Sequence, residues 1–321
     1  MRTKRAIVIV FSYLTAAALN AASPGTSIFS FLKINPGARS AAIGDVIGMV
    51  TSQNLFSNPA VAAFDGRSEL SIEHLQYLSE INYSAVHYVR NMGNNAAVMG
   101  SLGYLGAGGM TKTVYDSSKA DGFSESGSLA YSDIVAAFGY SEKLSRSFSW
   151  GASLKALTET IDSNSASGLA LSIGGYYFHK ELRYRGPRQA DYVGDWQLGF
   201  GIFDAGFPVK GYSLPTGGFL NYGYWFTKNA FWTAEIVSYI DQVSELRTGF
   251  EFDIYNTVAF RCGYRYPLST RGIGSESNVN ITGGIGFNLK RFSIDYAWVP
   301  YGDFGQSHRL TVVSRIGNNI K

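Results

Sequence analysis

From residue 68 onward the chain falls into segments of about ten residues in which apolar side chains recur at every second position. The clearest is residues 278–289. Val279, Ile281, Gly283, Ile285, Phe287 and Leu289 share one face, while Asn278, Asn280, Thr282, Gly284, Gly286 and Asn288 share the other. A period of two is the mark of a strand. Leu246, Thr248, Phe250, Phe252 and Ile254 alternate in the same way with Glu245, Arg247, Gly249, Glu251 and Asp253. So do Val258, Phe260, Cys262, Tyr264 and Tyr266 with Arg261, Gly263 and Arg265, and Phe292, Ile294, Tyr296 and Trp298 with Arg291, Ser293 and Asp295. A soluble sandwich also alternates. The apolar faces here, however, are continuous on nearly every strand, and the opposite faces mix Gly, Ser, Asn and charge. That is the lipid-out, polar-in pattern of a transmembrane barrel. The predicted fold class is all-β: a transmembrane antiparallel β-barrel of about 14 strands with a short N-terminal plug segment.

The predicted strands lie near residues 68–77, 81–90, 95–106, 127–140, 146–158, 167–178, 194–203, 217–227, 229–240, 243–253, 255–266, 277–289, 290–298 and 306–316. The count is even, as bacterial single-chain barrels require. Short joints at 227–229 and 254–256 alternate with longer ones such as 180–192, as turns on one side and loops on the other would. Residues 91–111 carry no charge but six glycines. Each interior Gly costs a helix about 1 kcal/mol, so the stretch reads as a strand running into a glycine-rich turn. With no later membrane-spanning helix, only a closed barrel satisfies the backbone in lipid.

The formal net charge of +3 comes from 27 basic and 24 acidic residues. Arg2, Lys4 and Arg5 supply the whole excess, ahead of the apolar run 6–19 and the small residues Ala21, Ala22 and Ser23. That order reads as a secretory signal peptide, residues 1–22, cleaved near Ala21 or Ala22. The mature chain is then neutral, which argues against a nucleic-acid partner. Only 16% of residues are charged, against about 25% in ordinary soluble domains. The single cysteine, Cys262, excludes an intrachain disulfide framework.

Residues 23–67 lack strand alternation. Residues 37–50 are rich in Ala and Gly, and Asn58-Pro59-Ala60 reads as a turn opening a short helix. The segment is too short for an independent domain. Its expected place is inside or across the mouth of a barrel formed by residues 68–317.

Two motifs carry a family resemblance. Residues 31–44, with Gly37, Ala38 and Arg39, followed by Asn58, Pro59 and Ala60, resemble the opening of the PorV/PorQ family. Asp295, Tyr296, Pro300, Gly302, Gly305, His308 and Arg309, in the spacing DYA-x-x-P-x-G-x-x-G-x-x-HR, resemble its last hairpin. The resemblance implies a FadL-like outer-membrane barrel of a Gram-negative-type bacterium with an N-terminal plug. It also implies either a part in type IX protein secretion or passage of hydrophobic nutrients. The chain departs from the family pattern at Asp45-Val46, where a second Gly is usual, and at Thr51-Ser52-Gln53, which lacks an acidic pair. It also ends on Ile320-Lys321 rather than on an aromatic residue.

No HExxH, GxSxG, Walker A or Cys/His cluster is present, and no cofactor is expected. Of the four histidines, His87 or His308 could act as base in an outer-membrane hydrolase, but scattered wall residues explain them equally. Glu245, Arg247, Glu251, Asp253, Arg261, Arg265, Arg291, Asp295, Arg309 and Arg315 concentrate inward-facing charge on the last five strands. They form a polar path, or a socket that grips Arg39 or another plug residue, or a self-neutralising ladder that fills a narrow lumen and is kept from lipid, where a charge costs about 2–4 kcal/mol at mid-membrane. Trp150, Trp196, Trp225, Trp232 and Trp298 fit interfacial girdles or an apolar pocket. The function expected is non-enzymatic, in type IX-like secretion or cell-surface attachment, with exported or secretion-machinery proteins as partners in outer-membrane lipid. A FadL-like conduit for hydrophobic small molecules such as long-chain fatty acids is the alternative.

Overall fold

A computed structural model describes residues 25–49, 57–78, 80–93, 95–180, 194–268 and 280–316. The predicted signal peptide, residues 1–22, lies outside the described residues, as do Thr51-Ser52-Gln53 and the last five residues. Fourteen strands close into one antiparallel barrel, each paired with its sequence neighbours and the first with the last. They are β1 (Ser68–Gln76), β2 (Ile81–Asn91), β3 (Ala96–Tyr115), β4 (Phe123–Lys143), β5 (Phe148–Ile161), β6 (Asn164–His179) and β7 (Trp196–Ala205). The second half comprises β8 (Gly217–Thr227), β9 (Ala230–Tyr239), β10 (Gln242–Ile254), β11 (Val258–Pro267), β12 (Ile281–Asn288), β13 (Phe292–Pro300) and β14 (Gln306–Ile316). Pairing of Ser68 with Ile316 seals the ring and sets both ends of the barrel chain on one rim, here called the near rim.

Alternation sorts the side chains as the period of two requires. Leu102, Phe138, Leu154, Ile173, Ile202 and Phe260 are exposed on the outside, whereas Arg261, Thr282, Asp295 and Thr311 are buried within. Tight turns lie mostly on the near rim. Tyr255 and Asn256 both take positive φ, 54° and 53°, the backbone a two-residue hairpin turn demands. The long connection from β6 to β7 nevertheless joins strand ends on this same rim, so turn length does not alternate cleanly.

Residues 91–111 do not end in a glycine-rich turn. β3 continues through them to Tyr115, and the turn lies at residues 116–122. The register slips between Ala107 and Met110 and between Thr111 and Thr113. Gly109, at φ 73°, accommodates the first bulge. β2 reaches only Ala107 of β3, and β5 only Tyr131 of β4. The outer parts of β3 and β4 therefore pair only with each other and project from the far rim as a two-stranded arm.

Candidate functional site

Residues 25–49 and 57–67 lie along the inside of the barrel, the first near the far rim and the last at the near one. Ile28 donates its backbone N–H to the Ser213 carbonyl in the β7–β8 connection. The chain then makes a 3₁₀ turn (Ser30–Lys33), a short helix α1 (Ala38–Ala42) against β12 and β13, and a second helix α2 (Val61–Asp65) against β3 to β6. Residues 41–49 are buried throughout.

The wall admits this segment because it lacks side chains where the segment touches it. A Cβ on Gly249 or Gly263 would collide with the Ile43–Gly44 backbone, one on Gly284 with Ala42, and one on Gly151 with Pro59 and Ala60. These glycines belong to strands, where Gly marks close approach of another backbone. Polar wall groups satisfy the segment's amides. Thr311 Oγ1 accepts from Ala38 N–H (2.9 Å), Thr282 Oγ1 from Gly44 N–H (3.1 Å), and Glu235 from the N–H groups of Ile47 and Gly48.

Two ionic chains hold it. In the first, Arg39 reaches Glu251 through both Nε (2.9 Å) and Nη2 (2.8 Å). Glu251 also accepts from Arg261 Nε (2.5 Å), and Arg261 Nη1 donates to Asp295 Oδ1 (2.6 Å). A two-pronged guanidinium–carboxylate pair fixes orientation as well as charge. In the second, Arg247 and Arg265 stand directly opposite each other across β10 and β11. Like charges so placed repel, and Asp45 answers them. Its carbonyl accepts from Arg247 Nη1 (2.6 Å), and its carboxylate lies 3.8 Å from Arg265 Nη1 and 3.0 Å from Arg309 Nη1. Arg247 also pairs with Glu245 at 2.9 Å, and Arg309 donates to the Asn35 carbonyl.

The predicted residues are thus divided. Gly37 caps α1 and donates to Asn35 Oδ1 at 3.0 Å. Asn58 donates to the Gly48 carbonyl at 2.8 Å, and the Ala60 carbonyl accepts from Ser141 and Ser149. Glu245, Arg247, Glu251, Arg261, Arg265, Asp295 and Arg309 gather around the segment. Arg315 sits apart, 3.8 Å from Glu69. Among the described residues Asp253 and Arg291 form no ion pair, and Arg291 is exposed in the β12–β13 turn because it lies beyond the last paired residue. The last-hairpin motif splits between two faces. Asp295 and Arg309 point inward, whereas Tyr296 and His308 point outward and hydrogen-bond each other at 2.8 Å. Gly302 and Gly305 hold positive φ in the connecting turn, after Pro300.

Of the tryptophans, Trp225 faces inward with the alternation of β8, just before a register shift, and meets Phe231 at 4.5 Å. Trp196 instead joins an outward row of rings, stacked with His179 and Tyr222. His87 is buried between Glu73 (3.2 Å) and Ser101 (2.7 Å) in the wall. Lys155 is likewise buried against Asp204. Sequence reasoning missed the roles of Asp45, Glu235 and the strand glycines. A signal existed for Asp45: its φ of 66° suits glycine, the residue expected there.

The fold is that of the hydrophobic-compound channels. The Pseudomonas putida toluene transporter TodX matches at a TM-score of 0.56 and 14% identity, over 87% of this chain and 97% of that one. CymD, a monoaromatic hydrocarbon channel, matches at 0.59 and 9% identity, over 91% and 100%. A Pseudomonas aeruginosa FadL homologue matches at 0.56 and 12%, over 90% and 99%. No curated relative matches the chain. The family model described as type IX secretion system protein PorV matches residues 19–219, and the chain belongs to that family.

Proposed function

We propose that the protein is a non-enzymatic outer-membrane barrel, exported by residues 1–22, that serves type IX-like protein secretion or cell-surface attachment. In this reading residues 23–67 are a plug. The observation that carries it is the paired fixation of Arg39 by Glu251 and of Asp45 by Arg309, which favours a sealed lumen over an open pore. Exported proteins would then be met at the far rim, where the β3–β4 arm projects. The test is deletion of the gene. Loss of exported proteins from the cell surface, with the barrel recovered alongside them in a pull-down from the outer membrane, supports the reading, and unchanged surface proteins refute it.

A second reading, a conduit for hydrophobic small molecules, is favoured by an apolar cluster inside the barrel at the far rim, packed around Phe29 and Phe31. Leu75, Leu105, Val135, Leu157 and Ala170 contribute to it from β1 to β6. Loss of hydrocarbon or fatty-acid uptake on deletion, restored by the intact gene, supports this reading. Unchanged uptake removes it.

A further inference from the structure

One corner of the near rim gathers cations. Arg67 precedes β1, Arg90 stands one residue from the end of β2, Lys290 and Arg291 lie in the β12–β13 turn, and Arg315 stands one residue from the end of β14. The strand register makes them neighbours. Arg315 pairs with Glu69 across β1 and β14 and donates its backbone N–H to the Arg291 carbonyl (2.8 Å), while the Asn91 N–H donates to Ser68 Oγ (3.0 Å). With strands about 4.8 Å apart, the cations on these four adjacent strand ends share about 15 Å of rim. Glu69 is buried among them, with Arg67 Nε and Arg315 Nε each 3.8 Å from its Oε1. Arg90, Lys290 and Arg291 are exposed and form no ion pair among the described residues. At the far rim, by contrast, exposed Lys119 and Lys210 are mixed with Glu80, Asp121, Glu125 and Asp303.

What the cations stand on decides what they meet. On β2 the outward positions run Val86, Tyr88, Arg90, and on β13 Ile294 and Phe292 lead to Lys290 in the turn. The apolar members are exposed on the lipid-facing wall, and Ile316 is exposed beside Arg315. Each ladder passes from aliphatic side chain to ring to cation over about 13 Å. That is the order of hydrocarbon, interface and headgroup in a leaflet. We propose that this corner is a binding site for the phosphodiester headgroups of anionic phospholipid in the leaflet at the near rim. The inference rests on the outer-membrane barrel proposed above and adds a lipid site to it.

The occupant follows from charge, span and the wall beneath. Guanidinium groups hold phosphate through two parallel hydrogen bonds, and an ammonium group holds it as a point charge. Cations clustered just beyond an apolar wall attract anionic lipid. One phosphodiester does not bridge about 15 Å of rim. Two side by side do, as two phosphatidylglycerol molecules or one diphosphatidylglycerol present them. Arg90 takes one, Lys290 and Arg291 take the other, and the acyl chains lie along Tyr88, Phe292 and Ile316. Arg315 is held at the rim between them, its Nη1 donating to the Leu289 carbonyl at 3.1 Å. An acidic soluble protein would meet the same charges but makes no use of the apolar ladders next to them.

The test is native mass spectrometry of the full-length protein in detergent, titrated with phosphatidylglycerol or with phosphatidylcholine of the same acyl chains. At low salt the wild type is expected to hold phosphatidylglycerol about tenfold more strongly than phosphatidylcholine. Arg90→Gln/Lys290→Gln/Arg291→Gln is expected to hold the two about equally. Arg146→Gln/Lys180→Gln/Lys228→Gln removes as many cations from the near rim outside the corner, and is expected to keep the preference. Glycerol 3-phosphate in excess is expected to leave the bound lipid in place, whereas displacement would mark a free-anion site and overturn the inference. Heat-modifiable gel migration reports whether each protein is a folded barrel. A folded wild type without the preference, or equal loss in the two triple variants, overturns the lipid site and leaves the barrel standing. A wild type that does not migrate as a folded barrel refutes the barrel itself.

Discussion

The Asp45 carboxylate lies 3.0 Å from Nη1 of Arg309, and both side chains are almost fully buried inside the barrel. Asp45 is the acid that makes the opposed pair Arg247 and Arg265 tolerable, and it does so from a left-handed backbone. Asp45→Asn keeps the size and tolerates that backbone, but leaves Arg265 and Arg309 short of a counter-charge, while Arg247 keeps Glu245 and the backbone carbonyl of residue 45. Breaking a buried pair by removing one partner costs about 3–5 kcal/mol. The expected outcome is a barrel that still forms but melts earlier in detergent, with residues 35–49 newly open to protease. Unchanged protease resistance would show that the Arg39–Glu251 pair, the amide hydrogen bonds and the glycine contacts hold the segment without the Asp45 charge.

The glycine contacts make their own prediction. Gly263→Ala puts a methyl group into the Gly44 backbone, and neither partner is a flexible side chain that can move aside. The segment must shift, or β11 must bend. Overpacking of this kind costs about 1–3 kcal/mol. Gly283→Ala, one strand away, meets nothing closer than 3.8 Å and serves as the control. Equal melting temperatures for the two variants would contradict the packing described.

These two positions show what the sequence could and could not convey. Strand number and inward-facing charge were legible because a period of two survives in every segment. Arg39 was one of several partners open to the wall charges, beside a ladder that neutralises itself, and alternation alone does not choose among them. The pairing of Asp45 was not legible, because it depends on how far a non-periodic segment advances along the lumen. Gly249 and Gly263 read only as strand residues, since alternation gives their face but not what lies against it. The extension of β3 and β4 was hidden by Gly108 and Gly109, which mark a turn in most settings and here form a bulge.

The lipid-facing side is tested by Phe138→Arg. Phe138 is 64% exposed, and it sits halfway along the part of β4 paired with β5. A charge on this face at the bilayer middle costs about 2–4 kcal/mol. Folding into liposomes, followed by heat-modifiable migration, is expected to fall in yield or in denaturant resistance. Gln306→Arg, at the start of β14 near the far rim, is expected to fold like the wild type. Equal behaviour of the two variants would place the membrane elsewhere.

The rim anchor Asp241 supplies a pH dependence. It lies in the β9–β10 turn, where burial raises its pKa, but hydrogen bonds from Lys33 and Ser27 and the Lys33 charge outweigh burial and hold it below the ordinary carboxylate range. A carboxyl whose folded pKa is depressed stabilises the docked residues 27–33 above its ordinary pKa of about 3.9. That contribution is lost as pH falls through the depressed value. Between neutrality and about pH 5 residues 27–33 should therefore stay docked on Asp241. In more acid solution, cleavage by pepsin between residues 25 and 33 should rise before the barrel itself gives way. Asp241→Asn should show the raised cleavage at its mildest pH, with no further step on acidification. If cleavage of wild type and of Asp241→Asn rises over the same pH range, Asp241 is not the anchor, and residues 25–33 are held by the bonds of Ile28 to Ser213 and of Phe29 to Glu159 together with the packing of Phe29 and Phe31.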